Sequence, residues 1–383
     1  MSSPVAELLL DTLRLAPPSD PQRLARGWTS PDVAARAGGI AEWIAWEQAA
    51  QWLLRRLAHV GALAAAPAAL VATLEAVARR DAKAGMAVDA DAMDAVRTIA
   101  ALGVPCVLLK GPARRASADA LPLAGARLTR DVDVLVPAAD SERLWRHFRS
   151  QGYVPYQYDP ECVPPGESEV QGPSPYHLRT LVRQGGAAVE LHLSTERGLP
   201  AQQAWDRLWS SARTVKWQGL DVRVPSFTEL VWQALTHADV AGSAGWSFRY
   251  WLDAASVIAV QPVDWATIAA RLGATNTGGR RLALSWLSAA FRLAGTESPP
   301  EVRAPDPPSL ERIVAWRLAV FARSEGLPGW REKLLDEGTR ASVGLPLAPL
   351  VGGRAWPIHL RRRAASLAAR TTYLAWRCAR GGS

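Results

Sequence analysis

Apolar residues recur at spacings of three and four from Ser30 to about Ala100, a period that predicts helix. Ile40, Trp43, Ile44, Leu53, Leu54 and Leu57 lie on such a stripe, and Ser30-Pro31 before it has the form of an N-cap followed by a first-turn proline. Trp43, Trp46 and Trp52 are expected in core or inter-domain packing rather than in a binding platform. A further helix is expected from about Ala90 to Ala101, with Met93, Val96, Ile99 and Leu102 on one face. The period then changes. Pro105 to Leu109 is a short apolar run that reads as a buried strand. Val132 to Val136, closed by Pro137, reads as a second strand, and Ala187 to Leu193, after Gln184-Gly185-Gly186, as a third. Between the second and third, Ser141 to Gln151 reads as a helix with a serine cap, ended at Gly152. After Pro225 the pattern is again helical, interrupted by a proline-rich linker at Glu297 to Ser309.

Strands alternating with helices in the middle of the chain, and helix on both sides, predict an α+β fold: a small mixed-sheet core flanked by N-terminal and C-terminal helical regions. The expected divisions are a helical region over 1–100, the α/β core over 101–225, a helical region packed on the core over 226–295, and a C-terminal helical region with a basic tail over 296–383. Pro155 to Pro175 carries six prolines and is expected as a surface loop, either a lid or an idle insertion. His59 to Leu74 is the most membrane-like stretch, but Gly61, Pro67 and its many alanines exclude a span.

Composition adds little until charge is mapped. The formal charge is +8, and from Arg354 onward there are seven arginines and no Asp or Glu. That tail suits an anionic partner (nucleic acid, acidic protein or membrane surface), or else is the solvated face of a terminal helix. Cys106, Cys162 and Cys378 have no metal-ligand or disulfide spacing, and Glu7 and Asp11 stand where a signal peptide needs basic and apolar residues. A cytoplasmic location is therefore expected. No phosphate-binding Gly-x4-Gly-Lys-Ser/Thr loop, dinucleotide fingerprint, zinc motif or hydrolase elbow occurs.

The chemistry centres on Asp131-Val132-Asp133. Residues two apart on a strand share a face, so both carboxylates project together. Two such charges call for a cation, and Mg²⁺ accepts oxygen ligands while keeping positions open for substrate phosphates. Lys110-Gly111 follows the first strand, where glycine permits close approach of a phosphate, and Glu190 and His192 share a face of the third. Lysine is scarce here, 4 residues in 44 basic ones, and Lys110 is one of them; a compact ammonium suits a phosphate.

Leu109-Lys110-Gly111, Arg127, Asp131-Val-Asp133-Val-Leu-Val136 and Gly152-Tyr153 together resemble the nucleotidyltransferases of the DNA polymerase β-like superfamily, in particular a bacterial Leu-Lys-Gly … Arg … Asp-x-Asp-x-Leu-Val group. His177, Val189-Glu190-Leu191-His192, Asp206 to Trp209, His237, Asp253 and Asp264-Trp265 extend the resemblance over about Trp43 to Gly273. It implies a nucleotidyltransferase core in which Asp131, Asp133 and Glu190 hold Mg²⁺ or Mn²⁺ and act in catalysis. It further implies that Lys110, Gly111 and Arg127 bind an NTP, which donates an NMP group to a hydroxyl of an acceptor that the sequence does not name. His192 and His177 are candidates for substrate contact or proton transfer; His237 and Asp253 are expected at a domain junction. Pro112 stands where the superfamily carries serine. An alternative is a catalytically silent nucleotide-binding or scaffold protein.

Overall fold

The computed structural model describes residues 4–323 apart from 122, 157–169, 172–175, 197, 239–246, 276 and 308. The arginine-rich tail and most of the expected 155–175 loop lie outside the described residues.

Five helices open the chain: α1 (Pro4–Leu13), α2 (Pro21–Trp28), α3 (Pro31–Trp46), α4 (Ala50–His59) and α5 (Ala68–Ala101). Ser30 caps α3 as its sequence indicates, its side chain accepting the Val33 N–H, with Pro31 in the first turn. The helix expected from Ala90 begins much earlier, at Ala68, because the alanine-rich text behind Pro67 favours helix without a strong apolar stripe. Met93, Val96 and Ile99 are buried as expected, as are Trp43 and Trp52, whereas Trp46 is 38% exposed beside Phe321. Among the described residues no helix is long and apolar enough to cross a membrane.

The core follows as β1 (Val107–Leu108), α6 (Lys110–Ala116), β2 (Asp131–Leu135), α7 (Ala138–Ser150), β3 (Val154–Pro155), β4 (Leu181–Val182), β5 (Ala188–His192), α8 (Ala201–Ser211), β6 (Arg213–Trp217) and β7 (Leu220–Val224). Its five-stranded sheet has the order β1-β2-β5-β4-β3, with β2 and β5 parallel and the other pairs antiparallel. The mixed sheet within flanking helices is the α+β class expected. Helix α7 starts at Ala138, one turn before the expected Ser141 cap. Pro137, with φ −57°, already sets the helix entry, and Ser141 instead donates to the Ala138 carbonyl.

The β6–β7 hairpin was not expected. Its Val215, Trp217, Leu220, Val222 and Val224 alternate with polar residues, and Gln218 and Gly219 both have positive φ, at 47° and 83°, joining Trp217 to Leu220 in a two-residue turn. That backbone belongs to the tight hairpin turns, which Asn-Gly signals more plainly than Gln-Gly.

Helices α9 (Phe227–His237), α10 (Phe248–Ile258), α11 (Trp265–Gly273), α12 (Thr277–Ala294) and α13 (Leu310–Arg323) follow, the last behind the proline-rich linker and its short 3₁₀ turn Pro300–Val302. Ser226 caps α9 by accepting from Glu229, and Asp264 caps α11 by accepting from Thr267. Glu47, fully buried after α3, joins the two helical regions. It accepts from Arg317 Nε at 2.9 Å and from the Phe248 backbone N–H, also at 2.9 Å. Trp43 meets the Phe248 ring edge-on at 5.1 Å. These contacts hold α10 in place, and α10 and α9 in turn supply the wall that faces Lys110.

Candidate active site

The site is built on adjacent parallel strands. The β2–β5 register sets Asp133 opposite Glu190 and Leu135 opposite His192. Alternation puts Asp131 and Asp133 on one face, so Asp131, Asp133, Glu190 and His192 converge although more than fifty residues separate the two motifs in sequence. Val132, Val134, Val189 and Leu191 point the other way into the core, and this burial holds the register.

Lys110 closes the cluster from the start of α6. Its Nζ donates to Asp133 Oδ1 at 2.6 Å and lies 3.9 Å from Glu190 Oε2. His192 Nε2 is 2.8 Å from the same Asp133 oxygen and 3.4 Å from Glu190 Oε2. Glu190 Oε1 accepts from Thr180, and His177 Nε2 is 3.9 Å from Glu190 Oε2, its ring 5.1 Å from that of His192. An isolated bridge between the His177 and His192 backbones keeps these imidazoles together.

The charges in this cluster tune one another. For Asp133, burial opposes ionisation, but the Lys110 charge and the His192 hydrogen bond prevail and hold its carboxyl far below the usual carboxylate range. Burial also works against the Lys110 ammonium, yet Asp133, Glu190 and Asp131 together keep its pKa above the ordinary lysine value. Asp131 is pushed up, first by burial and then by the Asp133 charge. Burial and Lys110 pull His192 down, but its bonds to Asp133 and Glu190 hold it above the ordinary imidazole value. The Asp133 Oδ2 atom, on a residue with no exposure, has no hydrogen-bond partner among the described residues. A buried, ionised oxygen left without a partner is costly, and a divalent cation satisfies it. The Asp/Glu/His donor set around it fits a metal: Asp133, Glu190 and His192 each offer a ligand atom, all within 4.8 Å of one another.

The other expected binding residues lie beside this cluster. Lys110 has a φ of +46°, which a lysine adopts only where the surroundings hold it, and its N–H points to Gln233 Oε1 at 3.4 Å. Gly111 sits where a Cβ would fall 2.6 Å from the Thr129 side chain and 2.7 Å from Arg127 Nη1. Arg127, by contrast, is committed to Asp253: its Nε reaches the two carboxylate oxygens at 3.0 and 2.8 Å. Arg114 adds a second guanidinium, Nε 3.7 Å from Asp253 Oδ1, and donates to the Leu230 carbonyl. Asp253 therefore pins α10 to α6 and to the approach of β2.

A narrow crevice runs from Lys110 along Arg127, Gln233, His237, Tyr250 and Asp253. Burial lowers the His237 pKa to about 3, so its imidazole lines the crevice in neutral form. Gln233, Thr180 and Tyr250 were not singled out from the sequence. Gln233 and Tyr250 lie on helix faces and Thr180 just ahead of β4, none of them in a local motif, and only the spacing Gln233-x3-His237, one helical turn, indicates that this pair shares a side.

Thr129 is 1% exposed and Arg127 is locked by Asp253, so neither can yield cheaply to a larger residue at 111. Gly111→Ala is expected to lower unfolding free energy by about 1 kcal/mol or more, overpacking outweighing alanine's better helix propensity. A urea midpoint equal to wild type would show that the neighbours move freely.

The model of a family described as uncharacterised nucleotidyltransferase matches residues 34–292. No curated protein matches the chain.

Proposed function

Since the chain belongs to the uncharacterised nucleotidyltransferase family, and so is a transferase of phosphorus-containing groups, we propose that it moves an NMP group from an NTP, ATP first among them, to a hydroxyl of an acceptor. The acceptor oxygen bonds to the α-phosphorus, the bond from that phosphorus to the oxygen bridging to the β-phosphate breaks, and pyrophosphate leaves. The observation that carries this reading is the buried, ionised Asp133, whose Oδ2 has no hydrogen-bond partner among the described residues, set in register with Glu190 and two residues from Asp131.

Asp131, Asp133 and Glu190 would hold Mg²⁺ or Mn²⁺, which supplies charge neutralisation at the triphosphate and lowers the pKa of the acceptor hydroxyl. Lys110 and Gly111 receive the phosphates at the start of α6, while the room left by the missing Cβ of Gly111 is taken up by Thr129 and Arg127. Arg127 contributes positive charge to the crevice from its position against Asp253. Glu190 Oε2 takes the proton of the acceptor hydroxyl, with His177 and His192 within 4 Å to orient or relay it. The proposed setting is the cytoplasm, and an anionic partner for the arginine-rich tail belongs to the same proposal.

A scaffold reading also has an observation behind it, because Pro112 replaces the expected phosphate-contacting serine. Thermal unfolding with each NTP, with and without Mg²⁺ or Mn²⁺, separates the readings. A ligand at a hundred times its Kd adds about 2.7 kcal/mol to a folded state that alone binds it. The expected result is a metal-dependent shift, largest with ATP, accompanied by pyrophosphate release once an acceptor is supplied. No shift with any nucleotide would sink the proposal; a shift without release across acceptor classes would favour the scaffold.

A further inference from the structure

The resemblance that led to Asp131, Asp133 and Glu190 treats the metal site as all oxygen. The arrangement of side chains around Asp133 differs. Beside Lys110, the groups gathered on it are Glu190 and His192, whose ligand atoms lie with its own inside a 4.8 Å group. His192 is 3% exposed, and its two ring nitrogens face different ways: Nδ1 lies 3.3 Å from the Ser194 carbonyl, and Nε2 faces Asp133 Oδ1 and Glu190 Oε2. A backbone carbonyl beside Nδ1 keeps a proton there and leaves Nε2 as the nitrogen available to a metal, the second-shell arrangement common to metal-binding histidines. The Lys110 ammonium marks where a cation is held. Its nitrogen lies 2.6 Å from Asp133 Oδ1, 3.5 Å from His192 Nε2 and 3.9 Å from Glu190 Oε2. Among the described residues, Asp133 Oδ2 has no hydrogen-bond partner although the lysine is present.

From this geometry we infer that His192 Nε2 is a metal ligand, which together with Asp133 and Glu190 makes a mixed nitrogen–oxygen site that favours Mn²⁺ over Mg²⁺. The inference rests on the proposal that Asp133 and Glu190 bind metal, and adds the imidazole and the metal preference. The physical ground is that Mg²⁺ binds through oxygen and gives up its waters reluctantly, whereas an imidazole nitrogen suits transition-metal dications. A proton held on Nε2 passes to solvent when the metal binds, so that His192 then orients Glu190 through the shared metal and any proton relay falls to His177. The Lys110 side chain, displaced from Asp133 by the metal, is then free to meet substrate phosphate.

The test is pulsed electron paramagnetic resonance of Mn²⁺ bound to the full chain, with Mn²⁺ and Mg²⁺ affinities measured by titration calorimetry on the same samples. Wild type should show the nitrogen modulation of a directly bound imidazole and should bind Mn²⁺ at least about tenfold more tightly than Mg²⁺. In His192→Gln the modulation disappears and Mn²⁺ affinity falls about tenfold or more, by analogy with the loss caused by removing even an outer-shell partner. In His177→Ala the modulation persists, which also carries the assignment if His192→Gln does not fold. Mn²⁺ bound to wild type without nitrogen modulation would overturn the inference and leave the carboxylate site standing. Modulation lost in His177→Ala and kept in His192→Gln would give the ligand to the other histidine. Failure of wild type to bind either metal would overturn this inference together with the metal-dependent function beneath it.

Discussion

Asp133→Asn is expected to lower pyrophosphate release by on the order of 10³-fold, the scale seen when one preorganised electrostatic stabiliser is removed. The substitution keeps the shape of the side chain and removes its charge. Asp133 is fully buried, faces Glu190 across the parallel strands, and is held ionised by Lys110 and His192. An amide in its place donates where the neighbours also donate, so the Lys110 ammonium loses its closest counter-charge and must turn to Glu190, 3.9 Å away. The metal-dependent thermal shift with NTP is expected to vanish along with turnover. Circular dichroism and the urea midpoint report whether the chain still folds. A folded Asp133→Asn protein that keeps turnover within tenfold of wild type would refute the assignment of this carboxylate.

The largest stability effect is expected at Asp253, outside the carboxylate cluster. Asp253→Ala should lower unfolding free energy by about 3–5 kcal/mol, the range for removing one member of a buried ion pair. Its side chain is 8% exposed and meets Arg127 at 2.8 Å and Arg114 at 3.7 Å, both guanidinium groups themselves less than a tenth exposed. Removing the carboxylate from α10 leaves two buried cations, Arg114 on α6 and Arg127 ahead of β2, without their shared counter-charge. For contrast, Lys216 and Asp221 on the hairpin are 3.4 Å apart but 82% and 63% exposed. Asp221→Ala should change stability by well under about 1 kcal/mol, because solvent screens that pair. Urea denaturation of both variants makes the comparison direct. A loss below about 1 kcal/mol at Asp253 would mean that water or another group compensates the two arginines.

Asp253 also shows where a linear reading stops. The family resemblance implies a phosphate role for Arg127, and nothing in its motif indicates that a carboxylate 126 residues later takes its Nε. Glu47 and Arg317, 270 residues apart, are a second case. Neither pair has a periodic signal, since a buried charge is placed by the partner that neutralises it, wherever in the chain that partner lies.

The sequence alone determined what each short segment presents to its surroundings. Alternation along a strand placed Asp131 with Asp133 and Glu190 with His192, because the pleat leaves no other choice. Ser30 before Pro31 specified the start of a helix, since a side-chain oxygen there satisfies a free N–H. The motif order was enough to indicate the nucleotidyltransferase family and the α+β class. Tertiary structure decided which segments meet. It set β5 beside β2 in the register that opposes Glu190 to Asp133, brought Lys110 at a left-handed φ between them, and turned Gln233 and His237 from an ordinary helix toward the same crevice. Side-chain direction within an element follows from local backbone geometry. Strand neighbours and charge partners instead follow from burying the apolar faces of the whole chain at once while leaving as few charges as possible unpaired.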